Sequence, residues 1–95
     1  MSRYIVSVSL NPEIGGIEVS SHASRDAANR AARRAVRAHA RDIPHTIEVF
    51  TTRAGLHEVV ATLAPDAEGR SGKIYAEVTY GRSELAGLGP DRARR

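Results

Sequence analysis

Along residues 3–10 the chain alternates, with Tyr4, Val6, Val8 and Leu10 interleaved with Arg3, Ile5, Ser7 and Ser9. A period of two marks a strand, whose successive side chains point to opposite faces. "NPEIGG" then supplies Asn, Pro and paired glycines, a turn by composition, and "IEVSSH" resumes the alternation with Ile17 and Val19. Residues 3–22 therefore read as an antiparallel hairpin.

The period then changes. Over "RDAANRAARRAVRAHARD", residues 25–42, small apolar residues recur at helical spacing. Ser24 is placed to cap the helix and Asp26 to meet its positive end. Pro44 disfavours helical geometry at Ile43, so the helix is expected to stop near Asp42. At about 100° per residue, Arg30, Arg33, Arg34, Arg37 and Arg41 share an arc of roughly 100°. Ala28, Ala31, Ala32, Ala35, Val36, His39 and Ile43 lie on the other side, which predicts a close approach of the helix axis to a sheet.

Three further strands follow in "HTIEVFTT", "LHEVVATLA" and "GKIYAEVTY". Arg53-Ala54-Gly55 suits a three-residue hairpin loop with Gly55 in the left-handed region. That loop sets Thr52 against Leu56, Val49 against Val59 and Ile47 against Ala61. Ile47, Val49, Val59, Ala61 and Leu63 then form a core face, with Glu48, Phe50, Glu58 and Val60 on the opposite one. "APDAEGRSG" is expected to be a mobile polar loop. The fold class is α+β: an antiparallel sheet of about five strands, order ββαβββ, with one basic amphipathic helix packed on one face. Residues 1–81 form a single domain, and residues 82–95 a short helical turn ("RSELAGL", capped by Ser83) with a flexible basic tail.

Composition changes the picture in two ways. Of the 39 hydrophobic residues in the 95-residue chain, 15 are alanine; there is one Phe and no Trp. At ~25 cal/mol per Å² of buried apolar surface, such a core gives modest stability, and oligomerisation is a natural supplement. Charge is the second. Residues 25–42 carry six arginines against two aspartates, a net of +4, whereas all other positions carry eight basic and nine acidic residues. The formal net charge of +3 thus originates in one helix. Arginine rather than lysine at 13 of 14 basic positions reads as the habit of a GC-rich bacterial or phage genome. Placement is therefore the informative feature. A helix shaped only for solubility mixes signs, and here no Glu stands at i, i+4 to the arginines.

Candidate chemistry narrows accordingly. Without cysteine there is no disulfide, thiolate chemistry or Cys-based zinc site. His22, His39, His45 and His57 form no compact ligand run, so no metal or other cofactor is expected, and His39 reads as a hydrogen-bonded core histidine. No serine sits in a nucleophile signature, and the acids are scattered, which predicts a non-enzymatic protein with no catalytic residues. The N-terminal run is too short and polar for a signal peptide or a membrane span, so a cytoplasmic protein with no membrane partner is expected.

The expected partner is nucleic acid, DNA or RNA, held at its phosphates by Arg30, Arg33, Arg34, Arg37 and Arg41. The alternative is a protein-binding or self-assembling module, a homodimer or the complex with another protein. It would use Ile5, Phe50, Val60 and Tyr75 on the sheet face away from the helix, with the arginines solvated or docked on an acidic partner. Phe50 and Tyr75 on that face also make a thin stacking platform for single strands. The order ββαβββ resembles that of β-grasp domains. The "RYIV…GG" hairpin before an alanine-patterned helix is similar to that of small antitoxins, without their Pro-Gly-Cys stretch. These resemblances imply a fold and carry no site residues.

Overall fold

A computed structural model describes residues 2–11 and 15–83. The short helical turn and the basic tail expected beyond Ser83 lie outside the described residues, as does the middle of the first turn. The elements are β1 (Ser2–Ser9), β2 (Ile17–His22), α1 (Arg25–Ala40), β3 (His45–Thr51), β4 (His57–Leu63) and β5 (Lys73–Arg82). The strands form one antiparallel sheet in the order β2-β1-β5-β4-β3. The last strand thus inserts between the two hairpins, with β2 and β3 at the edges.

Local chemistry sets the helix ends. Ser24 has extended backbone (φ −119°, ψ 148°), and its Oγ accepts a 3.2 Å bond from Ala27 N. Asp26 sits in the first turn, as the dipole favours. The helix ends at Ala40, two residues before the expected limit. Ile43 N bonds Ala40 O at 3.0 Å, turning the chain toward Pro44.

The core lies between α1 and the sheet. Val6, Val8, Val59, Ala61, Ile74, Ala76 and Val78 rise from β1, β4 and β5 to meet Ala28, Ala31, Ala32, Val36 and Ala40. Of the hydrophobic side chains buried to under 2% exposure, none is larger than valine. The alanine side of the helix does what its small residues permit, settling over β1, β5 and β4 with a lesser overlap on β2.

The second hairpin has the expected register, Val49 opposite Val59 and Ile47 opposite Ala61. Its loop closes through Thr52 N to Leu56 O (2.8 Å) and Gly55 N to Thr52 O (2.9 Å). Gly55 has φ +81°, the left-handed region. A Cβ there would lie 2.8 Å from Arg25 Nη1, the movable end of a long side chain, so backbone conformation decides the outcome. Gly55→Ala should lower stability by roughly 1–2 kcal/mol, read as a fall in the urea midpoint at unchanged slope.

Three expectations need correction. Val49 is not core: β3 lies at the sheet edge beyond the helix, and Val49 is 43% exposed. His39 is exposed rather than buried, its Nδ1 donating to Ala35 O (2.8 Å), because it borders an open hollow lined by Val8, Leu10, Ile17 and Val19, on the side where the helix overlaps β2 only slightly. Ile43 is exposed because the helix stops at Ala40, before reaching it. The polar loop of residues 64–72 has an internal framework of hydrogen bonds. Asp66 Oδ1 accepts from Glu68 N (2.9 Å) and Arg70 N (3.0 Å), while Asp66 N donates to Arg70 O (2.9 Å). No described helix is long and apolar enough to cross a membrane.

Candidate nucleic-acid interface

The alanine side of α1 faces the sheet, so its arginine side must face solvent. Arg30, Arg34, Arg37 and Arg41 are exposed, and Arg33 is half-buried on the flank. None of Arg30, Arg33, Arg34 and Arg37 has a described carboxylate within 4 Å; the ion pairs of the helix are Arg25–Asp26 and Arg41–Asp42, both at 3.8 Å and exposed. The sequence-predicted residues are thus on one helix side and mostly unneutralised. From Arg30 to Arg41 the ridge runs about 16 Å, a length over which duplex DNA presents roughly ten phosphates.

Arg33 differs from the rest. Its Nη1 donates to His57 Nδ1 at 2.8 Å, which requires a neutral ring with its proton on Nε2. That leaves four arginines free of a neutral tether. Burial, followed by the charge of Arg33, lowers the pKa of His57 below 6.5, with Asp26 acting in the opposite sense. Burial, followed by Arg3 and Arg34, lowers that of His22, whose Nε2 lies 2.9 Å from Ser20 Oγ. Both rings take a proton more readily in the unfolded chain. The stability they contribute is complete above pH 6.5 and is lost as pH falls toward their folded-state values. The melting temperature should therefore drop between about pH 7.5 and pH 5.5, and H22Q/H57Q should flatten that profile. An equally steep profile in the double variant would show that other groups drive it.

The far face of the sheet has a different character. Tyr75 and Val60 are cross-strand partners there, both half-buried, and Phe50 lies diagonal to Val60 at 51% exposure. Ile5 does not join them. It pairs with Thr79, four residues and roughly 13 Å along β5 from Tyr75, and is only 8% exposed. Glu48, Glu58 and Glu77 share this face, with Glu58 directly opposite Glu77. A phosphate chain stacked on Phe50 and Tyr75 would meet these carboxylates, so the platform and the arginine ridge cannot serve one strand together.

Sequence reasoning overlooked an aromatic pair on the helix side. Tyr4 and Tyr80 face one another across β1 and β5, ring centroids 4.7 Å apart and planes tilted by 53°. Tyr4 lines a shallow hollow with Ala23, Ser24, Arg25 and Asp26, and Tyr80 is 60% exposed. The period-two pattern carried this signal, since even-numbered residues of both strands share the helix face. Among the described residues, no three of His, Asp and Glu converge to hold a metal ion. No protein-family profile, curated protein or solved structure matches the chain, so its own geometry carries the argument.

Proposed function

We propose that this protein is a non-enzymatic accessory factor that binds nucleic acid at its phosphates, in the cytoplasm, through Arg30, Arg34, Arg37 and Arg41, with Arg33 at the flank. The observation that carries the reading is an exposed ridge in which Arg30, Arg34 and Arg37 have no described carboxylate within 4 Å. The acidic opposite face supports it, because it leaves one side of the molecule for an anionic polymer. Arginine on a sheet-packed helix reads charge and spacing, so affinity should depend little on base sequence.

Fluorescence anisotropy with labelled 20-mers, duplex and single-stranded, over a salt series tests it. Four phosphate contacts give a slope of log affinity against log salt of about −3.6 for duplex DNA and about −2.8 for single strands. Absence of binding at low salt, or affinity indifferent to salt, would defeat the proposal. An acidic protein partner predicts instead that nuclease treatment leaves the co-purifying material unchanged.

A further inference from the structure

The edge strand β3 carries an inference independent of the arginine ridge. Thr52 N bonds Leu56 O and Ala64 N bonds Pro44 O (2.7 Å), so the even-numbered residues of β3 exchange backbone bonds with β4. The N–H and C=O groups of His45, Ile47, Val49 and Thr51 consequently point away from the sheet. No described element lies beyond them.

Edges in soluble proteins are ordinarily blunted by a lysine, a proline, a bulge, shortness or a covering element. Over its seven residues β3 has no lysine, proline or bulge, no element among the described residues covers it, and its single acid is Glu48. Apolar side chains project on both faces, Ile47 and Val49 toward the helix side and Phe50 toward the other. The opposite edge is different: β2 carries a bulge at Val19, where Val6 pairs with Ser20 but Ser7 with Glu18. Glu18 is in turn bonded by Ser83 Oγ. One edge is interrupted and the other is open, which favours a closed twofold pair over a head-to-tail chain.

We infer that two copies of this chain pair through β3, antiparallel about a twofold axis at Val49. The register follows from side-chain chemistry. Centring on Glu48 would set that carboxylate against itself, a destabilising pairing. Centring on Val49 sets Val49 against Val49 of the second copy, Ile47 against Thr51, and the stem of Glu48 against the ring of Phe50. Roughly six backbone hydrogen bonds then use the outward-pointing groups. Both helices remain accessible. Each sits over β5, two strands in from β3, so their axes are at least about 24 Å apart at ~4.8 Å per strand. That is about three Debye lengths at physiological salt, and the two basic ridges do not oppose the pairing.

Sedimentation of the nuclease-treated full chain tests this, so that bridging by nucleic acid is removed. The expected mass is twice that of the 10.2 kDa chain at tens of micromolar. Val49→Lys places two ammonium groups across the axis at an exposed position. It should weaken dimerisation about tenfold or more, with circular dichroism and melting retained. A cysteine provides the second measurement, since the chain has none of its own. Val49→Cys should form a covalent dimer on mild oxidation, paired Cα atoms being about 5.5 Å apart. Ile17→Cys, on the β2 edge and 76% exposed, should not. A monomeric wild type, a Val49→Lys variant as dimeric as wild type, or equal cross-linking from Ile17→Cys would each overturn the inference. A monomer that accepts an extended foreign peptide at β3 would overturn it in favour of that occupant.

Discussion

Replacing Arg30, Arg34, Arg37 and Arg41 together with glutamine is expected to remove salt-dependent binding of nucleic acid while leaving the fold intact. For wild type, four phosphate contacts imply that raising salt from about 50 to 200 mM weakens duplex binding roughly 150-fold. The quadruple variant should show almost no such dependence. Each single replacement should reduce the slope by about 0.9 and weaken binding equally across base sequences. Stability should move the other way. Glutamine and arginine have similar helix propensity, and the substitutions relieve repulsion between Arg30 and Arg34, between Arg33 and Arg37 and between Arg37 and Arg41. The variant should thus melt at or slightly above the wild-type temperature, so that lost binding cannot be ascribed to unfolding. Arg→Lys at the same four positions separates charge from geometry: an unchanged slope with weaker affinity would point to bidentate guanidinium contacts. If the glutamine variant binds as wild type does, the ridge is a solvated helix surface and the proposed function fails.

What was legible in the sequence follows from the range of the interactions involved. The arginine ridge was readable because helical geometry fixes the angle between residues three and four apart. The β3–β4 register was readable because Arg53-Ala54-Gly55 closes it locally. The strand order was not, since β5 enters between β1 and β4 through pairings such as Ser7 with Glu77 and Val59 with Ala76, far apart in the chain. That single fact moved Val49 from expected core to exposed edge, and the β1–β5 register, which sets Ile5 opposite Thr79, separated Ile5 from Phe50, Val60 and Tyr75. The 64–72 loop looked merely polar because composition does not reveal that one aspartate will collect two backbone N–H groups. His39 shows the limit of angular reasoning. Its azimuth is close to that of the core residues, but it points to the β2 side, where an open hollow rather than packed side chains receives it.

Asn29 is the costliest omission of that kind, and its substitution should have the largest effect on stability. On the helical wheel it lies between Val36 and Ala40, on the side that packs, and it is only 6% exposed. Its amide spans two elements: Nδ2 donates to Gly55 O and Oδ1 accepts from His57 N, each at 3.0 Å. The helix thereby holds the β3–β4 hairpin at its loop, and Arg33, one turn on, bonds the ring of the same histidine. Asn29→Ala strands a carbonyl and an N–H at this junction, each costing about 1–3 kcal/mol where water cannot replace the partner. Allowing for partial exposure, the loss should be roughly 2–4 kcal/mol, a large share of the 5–15 kcal/mol typical of a domain. Asn29→Asp is sterically equivalent and tests the bonds themselves. It keeps the acceptor for His57 N but turns an oxygen toward Gly55 O, so at neutral pH it should be no better than alanine. Amide exchange at His57 should accelerate in the alanine variant. Phosphate affinity through Arg30, Arg34, Arg37 and Arg41 should persist wherever the chain remains folded. A stability change below about 0.5 kcal/mol with His57 exchange unaltered would mean that water substitutes freely for the side chain, and that the hairpin is held by its strand pairing alone.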